Sequence, residues 1–205
     1  MKVAVFDMDG TLIRESSWEL LHRHFQANEE KVQFNREAYF SGTIDYETWM
    51  EKDILLWNSP TLESIRKGVS SYTLEPFAEM VITSLKARDI TPCIVSSGVL
   101  ILAEMVGIRL GIEQNLIFAN DLIFLDGCIK GICKVEPSKK DIVVRQLSQK
   151  LSVPLSEFAA VGDAALDMSL FKEVAVKFAY NPKDNCIAEA ADLVLEDLRE
   201  LLNFL

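Results

Sequence analysis

Hydrophobic and polar positions follow two different periods along this chain. Short, nearly unbroken apolar runs at residues 3–6, 91–95, 158–161 and 174–178 read as buried strands, and residues 192–195 as a shorter one. Between them, residues 76–87, 99–106, 138–151, 164–171 and 184–191 carry helical patterns. Strands alternating with helices predict an α/β fold, a doubly wound parallel sheet covered on both faces. Such sheets gather their functional groups at the carboxyl ends of the strands. Residues 123–134 break the rhythm, since Asp126-Gly127 between apolar runs predicts a hairpin turn.

Residues 16–74 differ again. They hold all three tryptophans, Trp18, Trp49 and Trp57, and carry no strand pattern. Tyr46, Trp49, Met50 and Trp57 fall near one helical face, as do Trp18, Leu21 and Phe25, which is the stripe that packs helices together. The expectation is a small helical cap at 16–74, inserted after the first strand, with residues 1–15 and 75–205 forming the α/β core.

Composition narrows the function. The chain has 205 residues, 49% hydrophobic and 25% charged, as a folded domain does. With 31 acidic against 21 basic residues the formal charge is −10, and a nucleic-acid partner needs the opposite surplus. Such a chain can handle a phosphate only with a local cation or a bound metal. The longest uncharged run, 90–103, falls short of the ~18 residues that span a bilayer and is interrupted by Pro92, Ser96, Ser97 and Gly98. The early charge at Asp7 does not suit a signal peptide, and scattered Cys93, Cys128, Cys133 and Cys186 read as reduced thiols. Together these features predict a cytoplasmic protein with no membrane partner.

Four segments at strand ends or helix starts can carry chemistry. In Asp7-Met8-Asp9-Gly10-Thr11 the two carboxylates alternate onto one side of an extended segment. Two such groups repel unless a metal or proton intervenes, so one can stay an anionic nucleophile while the other keeps a proton as general acid. Gly10 permits a sharp turn. Ser96-Ser97-Gly98, ending an apolar run, offers a hydroxyl and free N–H groups to an anion, or an ordinary helix cap. Pro137-Ser138-Lys139-Lys140-Asp141 opens a helix with lysines opposed to the helix dipole, which a nearby phosphate or acidic cluster would compensate. Asp163 follows another apolar run and Asp167 lies one helical turn later, an oxygen-rich pair suited to Mg²⁺.

Taken in this order, the four segments resemble the haloacid dehalogenase-like superfamily, and within it the phosphoserine phosphatase group. The resemblance covers nearly the whole chain and implies a Rossmann-like core, a phosphoric monoester hydrolase and a small phosphorylated metabolite as partner. It implies Asp7 as nucleophile forming an aspartyl-phosphate and Asp9 as acid and base. Mg²⁺ would sit on Asp7, the Asp9 main-chain carbonyl and Asp163, with Asp167 supporting. Gly10, Thr11, Ser96, Ser97, Gly98 and Lys139 would surround the phosphoryl group, Lys139 neutralising its charge. Three positions depart from the phosphoserine-specific pattern: Leu166 replaces Asn, Ser16 replaces Glu beside Glu15, and Asp53 replaces a cap Arg. The resemblance therefore implies intact chemistry with altered specificity positions. A phosphotransferase to an acceptor alcohol and a non-enzymatic relative share the same motifs. His22 and His24 match nothing in that chemistry and read as a solvated helix face.

Overall fold

The computed structural model describes all 205 residues. The chain enters through strand β1 (Val3–Phe6) and then runs through four helices, α1 (Ser17–His24), α2 (Glu29–Phe40), α3 (Tyr46–Ile54) and α4 (Leu62–Val69). Helix α5 (Ala78–Ala87) leads into β2 (Thr91–Val99), α6 (Leu100–Leu110) and the hairpin β3 (Ile117–Leu125) and β4 (Cys128–Ile132). After α7 (Lys140–Leu151) come β5 (Phe158–Gly162), the single-turn α8 (Met168–Phe171), β6 (Val176–Tyr180), α9 (Asn185–Ala190) and β7 (Leu193–Leu195).

The seven strands form one sheet in the order β4-β3-β2-β1-β5-β6-β7. All neighbours are parallel except β3 and β4, the antiparallel pair joined at Asp126-Gly127 as the sequence predicts. β1 lies between β2 and β5, with Val3 to Phe6 fully buried. The ends of these three strands therefore open side by side, where the chain order changes direction across the sheet.

The four helices between β1 and α5 each start on a short polar side chain. Ser16, Asn28, Asp45 and Thr61 accept from the backbone N–H groups of Glu19, Lys31, Thr48 and Ser64, which satisfies one of the free donors at each helix start. The entering and leaving chains run together: Arg14 N–H donates to the Thr73 carbonyl and Glu75 N–H to the Leu12 carbonyl. Trp57 stacks on Trp18 and Phe25, and Trp49 on Tyr39, so the aromatic stripe packs helices as the spacing suggests.

Several boundaries differ from the sequence reading. β2 runs on to Val99, with an irregular register between Val95 and Val99, so Ser96-Ser97-Gly98 lie on the strand's bulged end and not at a helix start. The front of β3 was hidden by polar Asn120 and Asp121 in its interior. Asn120 is buried there because its amide bonds Ser97, Tyr46 and Val135 while its carbonyl accepts from the N–H groups of Lys134 and Val135. Residues 164–171 form a 3₁₀ turn over Ala165–Asp167 and then α8, not one helix.

Candidate active site

The ends of β1 and β5 and the start of α7 meet in a buried cluster of opposite charges. Asp7 follows β1 directly, its backbone N–H donating to the Val161 carbonyl at 2.9 Å. Lys140, the first residue of α7, places its ammonium 2.6 Å from Asp7 Oδ1 and 2.6 Å from Asp167 Oδ1. Asp167 Oδ2 in turn accepts from the backbone N–H groups of Asp163 and Ala164, so one carboxylate fixes both the lysine and the loop after β5. Thr11 Oγ1 donates to Asp163 Oδ1 at 3.3 Å.

The lysine is a correction. Lys139, the residue implied by the resemblance, points outward with 58% of its side chain exposed and pairs with Glu136 at 2.6 Å. Lys140 is 2% exposed. The reason lies in the helix: Lys140 shares the buried stripe with Val143, Val144 and Leu147, at the spacing i, i+3, i+4 and i+7, and Lys139 stands off it. That spacing was visible in the sequence and identifies the inward lysine.

Burial and crowding set the proton affinities. Burial, reinforced by repulsion from Asp167, pushes the Asp7 carboxyl well above its ordinary value, against the pull of Lys140. Burial and Asp167 likewise raise Asp163, opposed by Lys183. Burial would lower the Lys140 ammonium, but Asp167 and Asp7 outweigh it and hold the lysine charged. Asp9 stands apart from this cluster. Burial raises it to about 6, against two hydrogen bonds from Ser17 to its Oδ2, while its Oδ1 is buried without a partner.

Oxygens of Asp7, Asp163 and Asp167 lie within 4.8 Å of one another. An exposed lysine from the loop after β6, Lys183, sets its ammonium 2.7 Å from Asp163 Oδ2. Three close carboxylates that already draw in an exposed lysine suit a hard divalent ion such as Mg²⁺. Gly10, at φ +89°, leaves this approach open, since a Cβ there would overlap both Asp163 Oδ2 and the Lys183 ammonium.

The β2 end closes the other side. Ser96 is buried and its hydroxyl accepts from Gly98 N–H at 3.0 Å. The Ser97 carbonyl accepts from Tyr46 Oη (2.7 Å), Asn120 Nδ2 (2.9 Å) and Trp18 Nε1 (3.3 Å), which ties two of the inserted helices to this strand. Sequence reasoning missed Lys183, Ser17 and Asn120, whose roles depend on long-range placement.

The specificity positions also need correction. Asp53 is buried inside the inserted helices, where it accepts from Asn35 Nδ2 at 2.8 Å and from His22. His22 is not on a solvated face: Trp57 donates to its Nδ1 at 3.1 Å, which puts the ring proton on Nε2, 3.2 Å from Asp53. His24 is exposed as expected. Glu15 accepts from Thr73 N–H, and Ser16 caps α1.

A family model described as haloacid dehalogenase-like hydrolase matches residues 1–175. The phosphoserine phosphatase of Methanocaldococcus jannaschii is 30% identical over the whole of this chain and 97% of its own. That of Wolinella succinogenes is 28% identical, covering 98% of each chain. Among solved structures, a substrate-bound phosphoserine phosphatase superposes with a TM-score of 0.86 at 28% identity, over all of this chain and 98% of that one. A phospho-aspartyl intermediate analogue of phosphoserine phosphatase gives 0.84 at 29% identity, with the same coverage. No helix is long and apolar enough to cross a membrane.

Proposed function

This chain belongs to the haloacid dehalogenase-like hydrolase family, and from that premise we propose a Mg²⁺-dependent phosphatase that hydrolyses a small phosphomonoester through an aspartyl-phosphate on Asp7. One observation carries the reading: Asp7 is held at the open end of the sheet by a buried lysine, beside two further carboxylates. Residues 16–74 act as a cap over a core of 1–15 and 75–205, supported by the paired linkers at Arg14–Thr73 and Leu12–Glu75.

Lys140 orients Asp7 for attack on phosphorus and pulls its carboxyl toward the anionic form, against the burial that raises it. As the bond from Asp7 oxygen to phosphorus forms, the bond to the leaving oxygen breaks, and the Asp9 carboxyl proton passes to that oxygen. Asp9 then takes a proton from a water that attacks the phosphorus, and the Asp7–phosphate bond breaks to release inorganic phosphate and the free carboxylate. Asp7, the Asp9 main-chain carbonyl and Asp163 would hold Mg²⁺, with Asp167 supporting; when bound, the ion supplies electrostatic stabilisation of the phosphoryl oxygens. Ser96, Ser97, Gly98, Gly10 and Thr11 surround the same group, with Lys140 in the role first given to Lys139.

The substrate reading follows from the departures. An amino acid ester needs a cation for its carboxylate and an anion for its ammonium. At the corresponding positions Asp53 is taken up by His22 and Asn35 and Ser16 caps α1, while the neighbouring Glu15 accepts from Thr73 N–H. Asp53 therefore does not repel a substrate carboxylate; it simply offers no clamp. Phosphoserine is expected to be a poorer substrate than a phosphomonoester without a zwitterionic head. Steady-state kinetics on O-phosphoserine beside a panel of phosphorylated metabolites, with Mg²⁺ and with EDTA, tests both parts. Turnover that survives EDTA contradicts the metal requirement. A kcat/KM for phosphoserine above ~10⁴ M⁻¹s⁻¹, unmatched across the panel, contradicts the altered specificity.

A further inference from the structure

We propose that Ser17 is a positioning residue that locks Asp9 so that its acidic proton resides on Oδ1, facing the leaving group. The inference rests on Asp9 as general acid. Ser17 gives Asp9 Oδ2 two donors, its backbone N–H at 2.8 Å and its hydroxyl at 2.6 Å. The hydroxyl cannot turn elsewhere at no cost, because Val99 N–H donates to Ser17 Oγ at 3.1 Å and so fixes the hydroxyl's own hydrogen toward Asp9.

The geometry decides which oxygen carries the proton. A hydrogen on Oδ2 would stand against two donors that already point at that atom, whereas Oδ1 is buried and has no partner at all. A protonated Asp9 therefore presents Oδ1–H as its free donor, and the same oxygen is the one able to receive a proton afterwards.

Packing supports the lock. Ser17 is fully buried, and Gly98 leaves the space it needs: a Cβ at position 98 would lie 2.5 Å from Ser17 Oγ and 2.9 Å from Asp9 Oδ2. Ser17 is also the first residue of α1, and Val99 ends β2. The acid is thus clamped between the first inserted helix and the strand that carries Ser96, Ser97 and Gly98.

Leaving-group dependence separates this role from simple packing. Ser17→Ala and Asp9→Asn are compared with the parent, all with Mg²⁺, on 4-nitrophenyl, phenyl and 4-methoxyphenyl phosphate. Nitrophenolate departs without needing a proton, and methoxyphenolate needs one. For Ser17→Ala, kcat/KM is expected to fall less than about 3-fold on the nitrophenyl ester and about 10-fold or more on the methoxyphenyl ester. Asp9→Asn is expected to show the same slope more steeply. A loss that is equal across the series, or absent, for Ser17→Ala while Asp9→Asn keeps its slope overturns the proposal for Ser17 alone. A flat Asp9→Asn series overturns the acid reading beneath it. Should Ser17→Ala fail to fold by its melting curve, Ser17→Cys keeps the volume with a weaker donor. It is expected to show the slope in smaller measure, and a flat Ser17→Cys series overturns the proposal equally.

Discussion

Asp53, inside the inserted helices, and Asp7, at the end of β1, are both buried carboxylates, and their surroundings differ in kind. Asp53 has a neutral donor for each oxygen, Asn35 and His22, and the imidazole is itself completed by the Trp57 indole. Both Asp53 oxygens, both imidazole nitrogens and the Trp57 indole are paired. At the strand ends, Asp7, Asp163 and Asp167 crowd around one buried lysine, with the exposed Lys183 drawn in as a further cation. Negative charge is left over there. A satisfied buried carboxylate holds helices together, whereas an overcrowded one demands a cation or a phosphoryl group's counter-charges, and that difference separates structure from chemistry in this molecule.

The comparison can be broken first at the nucleophile. Asp7→Asn removes the attacking charge and keeps the shape, so turnover is expected to fall by at least about 10³-fold while the melting curve still shows a folded protein. Near-normal kcat would remove Asp7 from the chemistry.

The two adjacent lysines sharpen it next. Lys140→Met strips the only buried cation from between Asp7 and Asp167. The expected cost is about 3–5 kcal/mol of stability at neutral pH, together with loss of activity. Lys139→Ala removes an exposed ion pair and is expected to stay within about 0.5 kcal/mol of the parent, with kcat close to unchanged. Urea denaturation and initial rates on both variants check this, and a reversal would return the role to Lys139.

Charge crowding also predicts how metal and pH act together. Asp7, Asp9 and Asp163 have carboxyls raised above their unfolded values, so the native state binds more protons than the unfolded chain. That contribution is fully present below about pH 4 and is lost as pH rises through the native values, near 6 for Asp9. In EDTA the melting temperature is therefore expected to be higher at about pH 5 than at about pH 7.5 from these groups. Mg²⁺ is expected to narrow the difference, adding about 2.7 kcal/mol when present at a hundred times its dissociation constant. A metal-insensitive melting curve at neutral pH would contradict a cation-demanding cluster.

On the satisfied side the expected effect falls on stability and spares turnover. His22→Ala leaves the Trp57 indole and one Asp53 oxygen without their partners, at a cost of about 1–3 kcal/mol, and kcat is expected to change little. A collapse of kcat with unaltered stability would mean that this network belongs to the site after all.

Much of this was legible in the residues, for identifiable reasons. β1, β5 and their following aspartates are local: an apolar run ends, and a carboxylate comes next. The helical insertion was legible from its aromatic stripe and from the absence of strand alternation. What escaped was non-local. Asn120 sits inside a strand only because Ser97, Tyr46 and Val135, distant in sequence, converge on it. Asp53 read as an altered specificity position because its partners, His22 and Asn35, come from two other helices. Lys140 is the exception: its helical spacing to Val143, Val144 and Leu147 was legible in the sequence, yet the resemblance was carried onto Lys139.

The central claim is that the overcrowded strand ends transfer a phosphoryl group to Asp7. Its most direct test is to mix the enzyme with Mg²⁺ and 4-nitrophenyl phosphate, quench in acid, reduce with borohydride and read the peptides by mass. A modification at residue 7, present during turnover and missing from Asp7→Asn, is the expected result. Full turnover with residue 7 unmodified, or with the label on another carboxylate, would contradict the account.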